Sequence, residues 1–393
     1  MDWTLPPEAL NGLLMLLHEA QMGLRALCYV LGLAPEVHGQ PAWPFAQRLA
    51  GELLGQEAGH ARRVALALLS GLAIVFLLGL SWCWRRARPI LGLLTALLLL
   101  LTPWPAARLL LVPAVPTSLH QSPTQFTADG IVRGQALYQQ YCLRCHGSDG
   151  RGEGPAAEHL PMWPPNFSGA LLWKRLDGEL FWRVRHGLRD RHGQETMPGF
   201  AQSLSDPQIW ELLDFLQAQA AGESLREAGV WTAPVRLPNA RVQCRQGGQK
   251  NVQALAGQRL RIVLANDKPS AITEDPRLVT VFVGLAPEVL LSIDPECQSN
   301  SPEMTQALAL VLGVPSAQVA GYQLLVDRQG WLRVRGKPGQ AAWSENDLVC
   351  RSSSSSGTGV APVGSAADGL EALIRRMDAE PVRLLRGGFP HGT

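Results

Sequence analysis

Two cysteines and a histidine stand close together at residues 142–146, where the chain reads Cys-Leu-Arg-Cys-His. This spacing is the attachment signature of a c-type haem. Thiols one helical turn apart can bond to the vinyl groups on one edge of the porphyrin, and the histidine that follows can give an imidazole nitrogen to the iron. The sequence therefore predicts a covalent haem c, with its iron, attached at Cys142 and Cys145 and ligated by His146.

A zinc site is the alternative for the same residues. A structural zinc ion needs two further ligands at metal spacing, usually a second C-x-x-C or an H-x-x-x-H. The sequence contains neither of these patterns elsewhere. Haem is therefore the favoured cofactor.

A second axial ligand is expected because an electron carrier usually closes both axial positions, and a methionine opposite the histidine raises the potential. Met197 is the favoured candidate, since the Pro-Gly pair that follows it ends any helix and holds it on a stiff loop. Met162 is expected to be a packing residue in the core. His186 and His192 are the alternative ligands, although the surrounding arginines are typical of surface histidines.

A helix is predicted to follow the methionine loop from about Asp206. Ser205 and Gln208 match a capping box, and Pro207 suits the first helical turn. The apolar residues that share one face of this helix are Ile209, Leu212, Leu213 and Leu216.

Residues from about 129 to 221 resemble a class I cytochrome c, an all-α domain. The matching segments are Gly134 and Tyr138, residues 142–147, 150–155 and 178–182, Met197 to Phe200, and the last helix with Trp210 and Phe215. In that family a glycine of the first helix packs against an aromatic residue of the last, which implies that Gly134 contacts Trp210 or Phe215. The family also bonds the ligand histidine to a proline carbonyl, and this resemblance implies Pro155 or Pro161 for that role.

The composition favours a multidomain membrane protein. The chain has 393 residues, which suggests two or three domains, and it is 46% hydrophobic but only 17% charged. The net charge of +2 predicts no nucleic-acid partner. Of the seven cysteines, Cys244, Cys297 and Cys350 can form at most one disulfide among themselves.

A membrane anchor of two or three helices is predicted over residues 1–112. Residues 64–84 and 90–107 are uncharged and long enough to cross a bilayer. Residues 9–34 are apolar at helical spacing but contain polar groups, so this segment can span the membrane or lie on its surface; we expect it to span. The start of the chain lacks the basic region of a secretory signal peptide.

The orientation of the anchor follows from residues 85–88. This short basic loop is expected in the cytoplasm under the positive-inside rule. Arg62 and Arg63 favour the opposite orientation. The resemblance to cytochrome c decides between the two, because it implies that haem is attached outside the cytoplasm. We therefore expect a bacterial inner-membrane protein with a 113–127 linker and with its haem domain (128–222) and C-terminal domain (232–393) in the periplasm.

The C-terminal domain reads as α/β. Strands are predicted at 259–265 and 279–285, helices at 302–312 and 366–379, a hairpin over 322–335, and a Ser-rich insert at 351–365. This order is similar to a thioredoxin-like fold, with 326–332 as its closing hairpin. No C-x-x-C follows the first strand and the 267–276 connector is short, so the unit is expected to be an interaction module.

Membrane helices, a cytochrome and a thioredoxin-like unit in this order resemble fusion proteins whose membrane part is similar to copper resistance protein D. The expected function is a membrane-anchored periplasmic electron carrier, not an enzyme, that exchanges electrons with a redox partner protein at the membrane. The alternative is a haem-containing subunit of a membrane oxidoreductase or copper-handling system. In that case the C-terminal unit is a docking module.

Overall fold

The structure is a computed structural model, and the chain divides into two compact units at the boundary between His120 and Gln121. The predicted linker 113–127 crosses this boundary. The Ser-rich insert 351–365 lies outside the described residues. The structure describes residues 7–50, 58–104, 110–169, 172, 175–265, 275–285, 295–340, 342–350 and 366–382.

Within its described residues, the N-terminal unit contains three helices and two pairs of short strands. The helices are α1 (Pro7–Val30), α2 (Ala58–Cys83) and α3 (Arg88–Leu101). The strands are β1 (Glu36–Val37), β2 (Gln40–Pro41), β3 (Gln47–Leu49) and β4 (Leu111–Pro113). Within each pair the strands are antiparallel, β1 with β2 and β3 with β4.

One segment of the described helices, Arg62–Cys83 in α2, is long and apolar enough to cross a membrane. The helix at the second predicted membrane span, 90–107, ends earlier than expected. Helix α3 has 14 residues, or about 21 Å, against a hydrocarbon core of about 30 Å. It ends because Thr102 adopts an extended backbone, as the residue before a proline tends to do. Residues 105–109 are outside the described part of the chain.

The C-terminal unit begins with helices that surround the Cys-Leu-Arg-Cys-His motif. Two short strands, β5 (Leu188–Arg189) and β6 (Glu195–Met197), form an antiparallel pair before the last of these helices. The helices are α4 (Ala128–Tyr141), α5 (Leu143–His146), α6 (Asp177–His186) and α7 (Asp206–Ala228). As predicted, Ser205 and Gln208 form a capping box and a proline occupies the first turn of α7.

A mixed eight-stranded sheet follows. Its spatial order is β7-β14-β13-β10-β11-β12-β8-β9, in which β10, β11 and β12 are parallel and the other neighbours are antiparallel. The described helices that accompany it are α8 (Pro302–Leu312) and α9 (Ala366–Ala379). The strands are β7 (Val235–Arg236), β8 (Arg241–Cys244), β9 (Gly248–Asn251), β10 (Leu260–Leu264), β11 (Val279–Val283), β12 (Cys297–Ser299), β13 (Gln323–Val326) and β14 (Trp331–Gly336).

The α4–α7 helices and the sheet share one hydrophobic core. Ile131 of α4 and Leu225 of α7 belong to the same buried cluster as Ile262 and Val281 of the sheet. Helices α7 and α8 also approach closely, because a Cβ added at Gly222 would lie 1.9 Å from the Leu310 carbonyl oxygen. The C-terminal part is therefore packed against the helices that precede it.

A disulfide joins Cys244 of β8 to Cys297 of β12, and Cys350 is a free, buried thiol. The expectation of at most one disulfide among these three cysteines is confirmed. The two bonded residues lie directly opposite each other in the antiparallel register of β8 and β12. Neither strand was predicted, so the sequence could not choose the pair.

Candidate haem site

The first cysteine of the motif stands at the start of α5 and the second lies within it. The backbone N–H of Cys145 donates to the Cys142 carbonyl at 3.1 Å, and that of His146 donates to the same oxygen at 2.9 Å. Both cysteines are free thiols and neither is fully exposed. Burial, with Cys145 adding to it, raises the pKa of the Cys142 thiol to about 12. One turn of helix therefore carries two thiols that form no disulfide, followed directly by the imidazole of His146.

The His146 side chain is buried, with 7% of its surface exposed. Burial lowers the pKa of the imidazole, and the nearby Pro165 carbonyl acts in the opposite direction. Among the residues that the structure describes, none hydrogen-bonds to His146 Nδ1. Phe167 stacks on the ring, with centroids 4.4 Å apart. The proline whose carbonyl influences this pKa is Pro165, whereas the resemblance implied Pro155 or Pro161 for the bond to the histidine.

Glycines allow the loop after the motif to fold back onto it. A Cβ at Gly154 would lie 2.5 Å from the Arg144 carbonyl oxygen, and one at Gly152 would lie 2.1 Å from that of Pro164. The Tyr138 hydroxyl donates to the Gly147 carbonyl at 2.6 Å. Only glycine fits such approaches without displacing backbone, so the loop is held closely against α5.

Helices α4 and α7 fix the other side of the motif. A Cβ at Gly134 would lie 2.1 Å from the Glu211 carbonyl oxygen and 2.8 Å from Cβ of Phe215. The contact implied for Gly134 is therefore confirmed, with Phe215 as the aromatic partner. Tyr138, one turn further along α4, has its ring 5.2 Å from that of Phe215. The contact between α4 and α7 therefore fixes the end of α4, where the chain continues into α5.

Met197 is the last residue of β6 and is half-buried. It packs against the same hydrophobic cluster as Cys142, and the ring of Phe200 lies 6.0 Å from that of Tyr141. The segment is fixed to α6, because the Phe200 N–H donates to the Val184 carbonyl at 3.0 Å. The structure thus brings Met197 and the attachment helix α5 to one cluster.

The other candidate ligands lie at the surface. Met162 is 54% exposed, so the expectation that it belongs to the core is wrong. His186 and His192 are both exposed. His192 accepts a hydrogen bond from the Arg191 Nε–H at 3.0 Å.

The donor set fits a c-type haem. Two free thiols stand one turn apart, and the adjacent buried imidazole has a nitrogen without a partner within the described residues. The part of the chain that the structure describes has no group of three or more His, Cys, Asp or Glu side chains that could hold a metal ion.

Comparison with known proteins identifies this part of the chain. Residues 130–216 match the family described as cytochrome C oxidase, cbb3-type, subunit III. The C-terminal unit contains a cytochrome c domain. This domain carries a c-type haem with its iron.

Among the solved structures that match is a chain of the reducing HAO-like protein complex Kustc0457/Kustc0458 of Kuenenia stuttgartiensis. It is 27% identical in sequence, the match covers 28% of this chain and 51% of that chain, and the TM-score is 0.23. The chain therefore spans about half the length of that relative. No curated protein matches the chain.

Sequence reasoning missed two residues beside His146, namely Pro165 and Phe167. The signal that could have found them is the Pro-Pro pair at 164–165, which forces an extended backbone just before the aromatic residue. The chain brings this proline pair back beside α5 because Gly152 allows the Pro164 carbonyl to approach its backbone closely. The spacing of residues in the sequence does not show that contact.

Proposed function

We propose that the protein is a membrane-anchored periplasmic cytochrome that carries electrons through a haem held covalently by Cys142 and Cys145, with His146 and Met197 as axial ligands. The observation that carries the proposal is the α5 turn, where two free thiols adjoin a buried imidazole with an unpartnered nitrogen. When bound, the haem supplies a one-electron couple between ferric and ferrous iron.

The chain's own residues hold this couple in a fixed environment. Cys142 and Cys145 tether the porphyrin, so it is not lost during turnover. Phe167 stacks on the His146 ring and limits its rotation. A ligand whose ring is held in place by its neighbours changes little between oxidation states, which suits electron transfer.

Met197 is the favoured sixth ligand because of how its segment is held. It is the last residue of β6 and pairs with Leu188 of β5. The backbone of Gly187 passes close enough that a Cβ there would lie 2.4 Å from the Met197 carbonyl oxygen. The contact of Phe200 with Tyr141 keeps this segment beside the attachment helix. Met162 lacks comparable support, since its side chain is mostly exposed.

The anchor is assigned to α2 and α3, whose outward side chains are large and apolar. Leu72 and Phe76 of α2 are each 69% exposed, and Leu100 of α3 is 82% exposed. Exposed apolar surface of this extent marks contact with a membrane or a protein. The pairing of β3 with β4 joins the segments before α2 and after α3 at one end of this hairpin. That arrangement supports a cytoplasmic 85–88 loop opposite the periplasmic end.

The sheet domain is assigned to a degenerate thioredoxin-like fold. Its central strands run in the order β11-β10-β13-β14, with the first two parallel and the others antiparallel. Helix α8 precedes β13 and α9 follows β14. The dithiol pattern of that fold is missing after β10. Its role in this protein is to complete the core of the cytochrome domain, as the shared cluster indicates.

Carbon monoxide binding tests the electron-carrier function against an enzyme or sensor with an exchangeable ligand. The full chain in detergent, reduced to the ferrous state, should bind carbon monoxide slowly or not at all, because Met197 closes the sixth position. It should also titrate reversibly as a one-electron couple. Rapid binding of carbon monoxide by all of the haem would contradict the proposal.

A further inference from the structure

Helix α1 buries two polar side chains and exposes most of its large apolar ones. Its buried face includes Gln21 and Arg25, which are 7% and 9% exposed, beside the apolar Leu14 and Cys28. Its exposed side is mostly apolar, with large side chains between 41% and 80% exposed, and it also carries Glu19. The apolar residues exposed on α1 and directly after it are Met15, Leu16, Leu24, Leu27, Val30, Leu31 and Leu33.

The buried polar groups of α1 bind the backbone of β3 and of the predicted linker 113–127. The Leu49 N–H of β3 donates to Gln21 Oε1 at 2.9 Å, and Arg25 Nη1 donates to the Leu119 carbonyl at 2.6 Å. These bonds attach the strand layer along the side of α1. In water the opposite polarity would be expected, with Arg outward and Leu inward.

We infer that α1 lies in the plane of the membrane interface on the side of the cytochrome domain, with its apolar face in the lipid acyl chains and its polar face beneath the β3–β4 strand layer. The inference rests on the proposed membrane anchor and replaces the spanning orientation that the sequence favoured. An in-plane helix typically buries its apolar face about 5–10 Å into the headgroup boundary.

Two observations favour the in-plane orientation over a spanning one. Glu19 is exposed and lies near the middle of Pro7–Val30, about 17 Å from either end. A carboxylate at the centre of a spanning helix is strongly unfavourable, whereas at the interface it can reach the headgroups. The bond of Gln21 to β3 is also near mid-helix, so a spanning α1 would place this short strand pair, with exposed Gln47, at hydrocarbon depth.

Spin-label depth measurements test the orientation in vesicles of phosphatidylethanolamine and phosphatidylglycerol. Nitroxides are attached to Leu16→Cys or Leu27→Cys in the full chain with Cys83→Ser, which removes an exposed native thiol. These two positions lie on the same face, three turns apart, or about 16 Å along the axis. Accessibility to oxygen and to a water-soluble nickel chelate reports depth.

The in-plane helix predicts that both labels are in lipid at the same shallow depth. A label at Leu72→Cys in α2 should be deeper, and one at Glu36→Cys should be in water. A difference in depth between positions 16 and 27 that approaches their axial separation would show a spanning α1 and overturn the inference, as would finding both labels in water. If the label at 72 is in water, the membrane anchor itself fails.

Protease treatment of spheroplasts gives a second, independent readout. An epitope before Met1 and another after Thr393 should both be digested, because α1 does not cross the membrane. Protection of the N-terminal epitope alone would overturn the inference and leave the anchor intact. Protection of the C-terminal epitope would instead contradict the proposed periplasmic location of the cytochrome.

Discussion

Single residues set the chemistry of the haem site, and Met197 is the one whose role is most open to test. Met197→Ala should keep the haem attached, because attachment depends on Cys142 and Cys145. It should abolish the ferric Met–iron absorption band at the red edge of the spectrum. The potential should fall by on the order of 0.1–0.3 V, because the thioether favours ferrous iron.

Met162→Ala is the matched control for this substitution. Because Met162 is 54% exposed, the change should leave the band and the potential as they are and alter the free energy of unfolding by less than about 1 kcal/mol. If Met162→Ala removes the band and Met197→Ala preserves it, the assignment is reversed. If both proteins keep the wild-type spectrum, a histidine is the ligand.

Asp214 is a buried carboxyl of α7 whose ionisation should show in the stability of the C-terminal unit. Burial raises the pKa of this group to about 7, against the effect of the Thr124 hydroxyl, which donates to it. Its pKa in the unfolded chain is near 3.8, so the folded state binds an extra proton between these values and stability falls as pH rises through this window.

Asp214→Asn removes this proton linkage. The variant should gain stability over the wild type at pH 8, by roughly 2–4 kcal/mol, and little at pH 4. Thermal unfolding at the two pH values measures the difference. An equal shift in Tm at both values would show that Asp214 ionises as an ordinary exposed carboxyl.

Secondary-structure elements were predicted well wherever local signals and long-range packing agree. Helix α8 was predicted at its observed bounds, where Ser301 caps its start and Gly313 ends it in a left-handed conformation. Strands β10 and β11 are long, apolar and buried, so composition alone indicates them. Strands β8 and β12 are short and polar, and they exist because neighbours pair with them.

Contacts between residues that are far apart in the chain could not be predicted from the sequence. The choice of Pro165 depends on a loop that returns to α5, and the disulfide depends on the register of β8 with β12. The shared core required the approach of α7 to α8, which local periodicity does not encode. The α4 and α7 contact at Gly134 was accessible only through the resemblance to cytochrome c.

The approach of α7 to α8 gives an element-scale prediction. Gly222→Ala should force the two helices apart, because its Cβ would meet the Leu310 carbonyl. Overpacking of this kind costs about 1–3 kcal/mol, which should lower Tm while the haem spectrum stays unchanged. Gly169→Ala is the control, since its Cβ meets no atom within 4 Å. Equal Tm values for the two variants would contradict the close packing.

The whole C-terminal unit should fold as one body because the α4–α7 helices and the sheet share a core. A chain that ends after Gly229 would expose Ile131, Ala218 and Leu225, which are at most 2% exposed in the complete protein. We expect this truncated chain to accumulate poorly and to aggregate. A soluble, haem-loaded cytochrome with wild-type Tm from that chain would show that the sheet is an independent module.

The proposed topology of the whole molecule places the 85–88 loop and the C-terminal unit on opposite sides of the membrane. A membrane-impermeant thiol reagent applied to intact spheroplasts should modify a cysteine tag after residue 393 and spare one at residue 87. The basic residues of the loop favour this arrangement. Labelling of the tag at 87 alone would show that the protein has the opposite orientation in the membrane.

Covalent attachment of haem at α5 is the most direct test of the proposed function. The measurement is acid-acetone extraction of the purified full chain, followed by intact-mass analysis of the polypeptide. The wild type should retain one haem per chain, and the Cys142→Ser, Cys145→Ser double variant should retain none. Complete release of haem from the wild type, or a haem that stays bound to the double variant, would contradict attachment at Cys142 and Cys145.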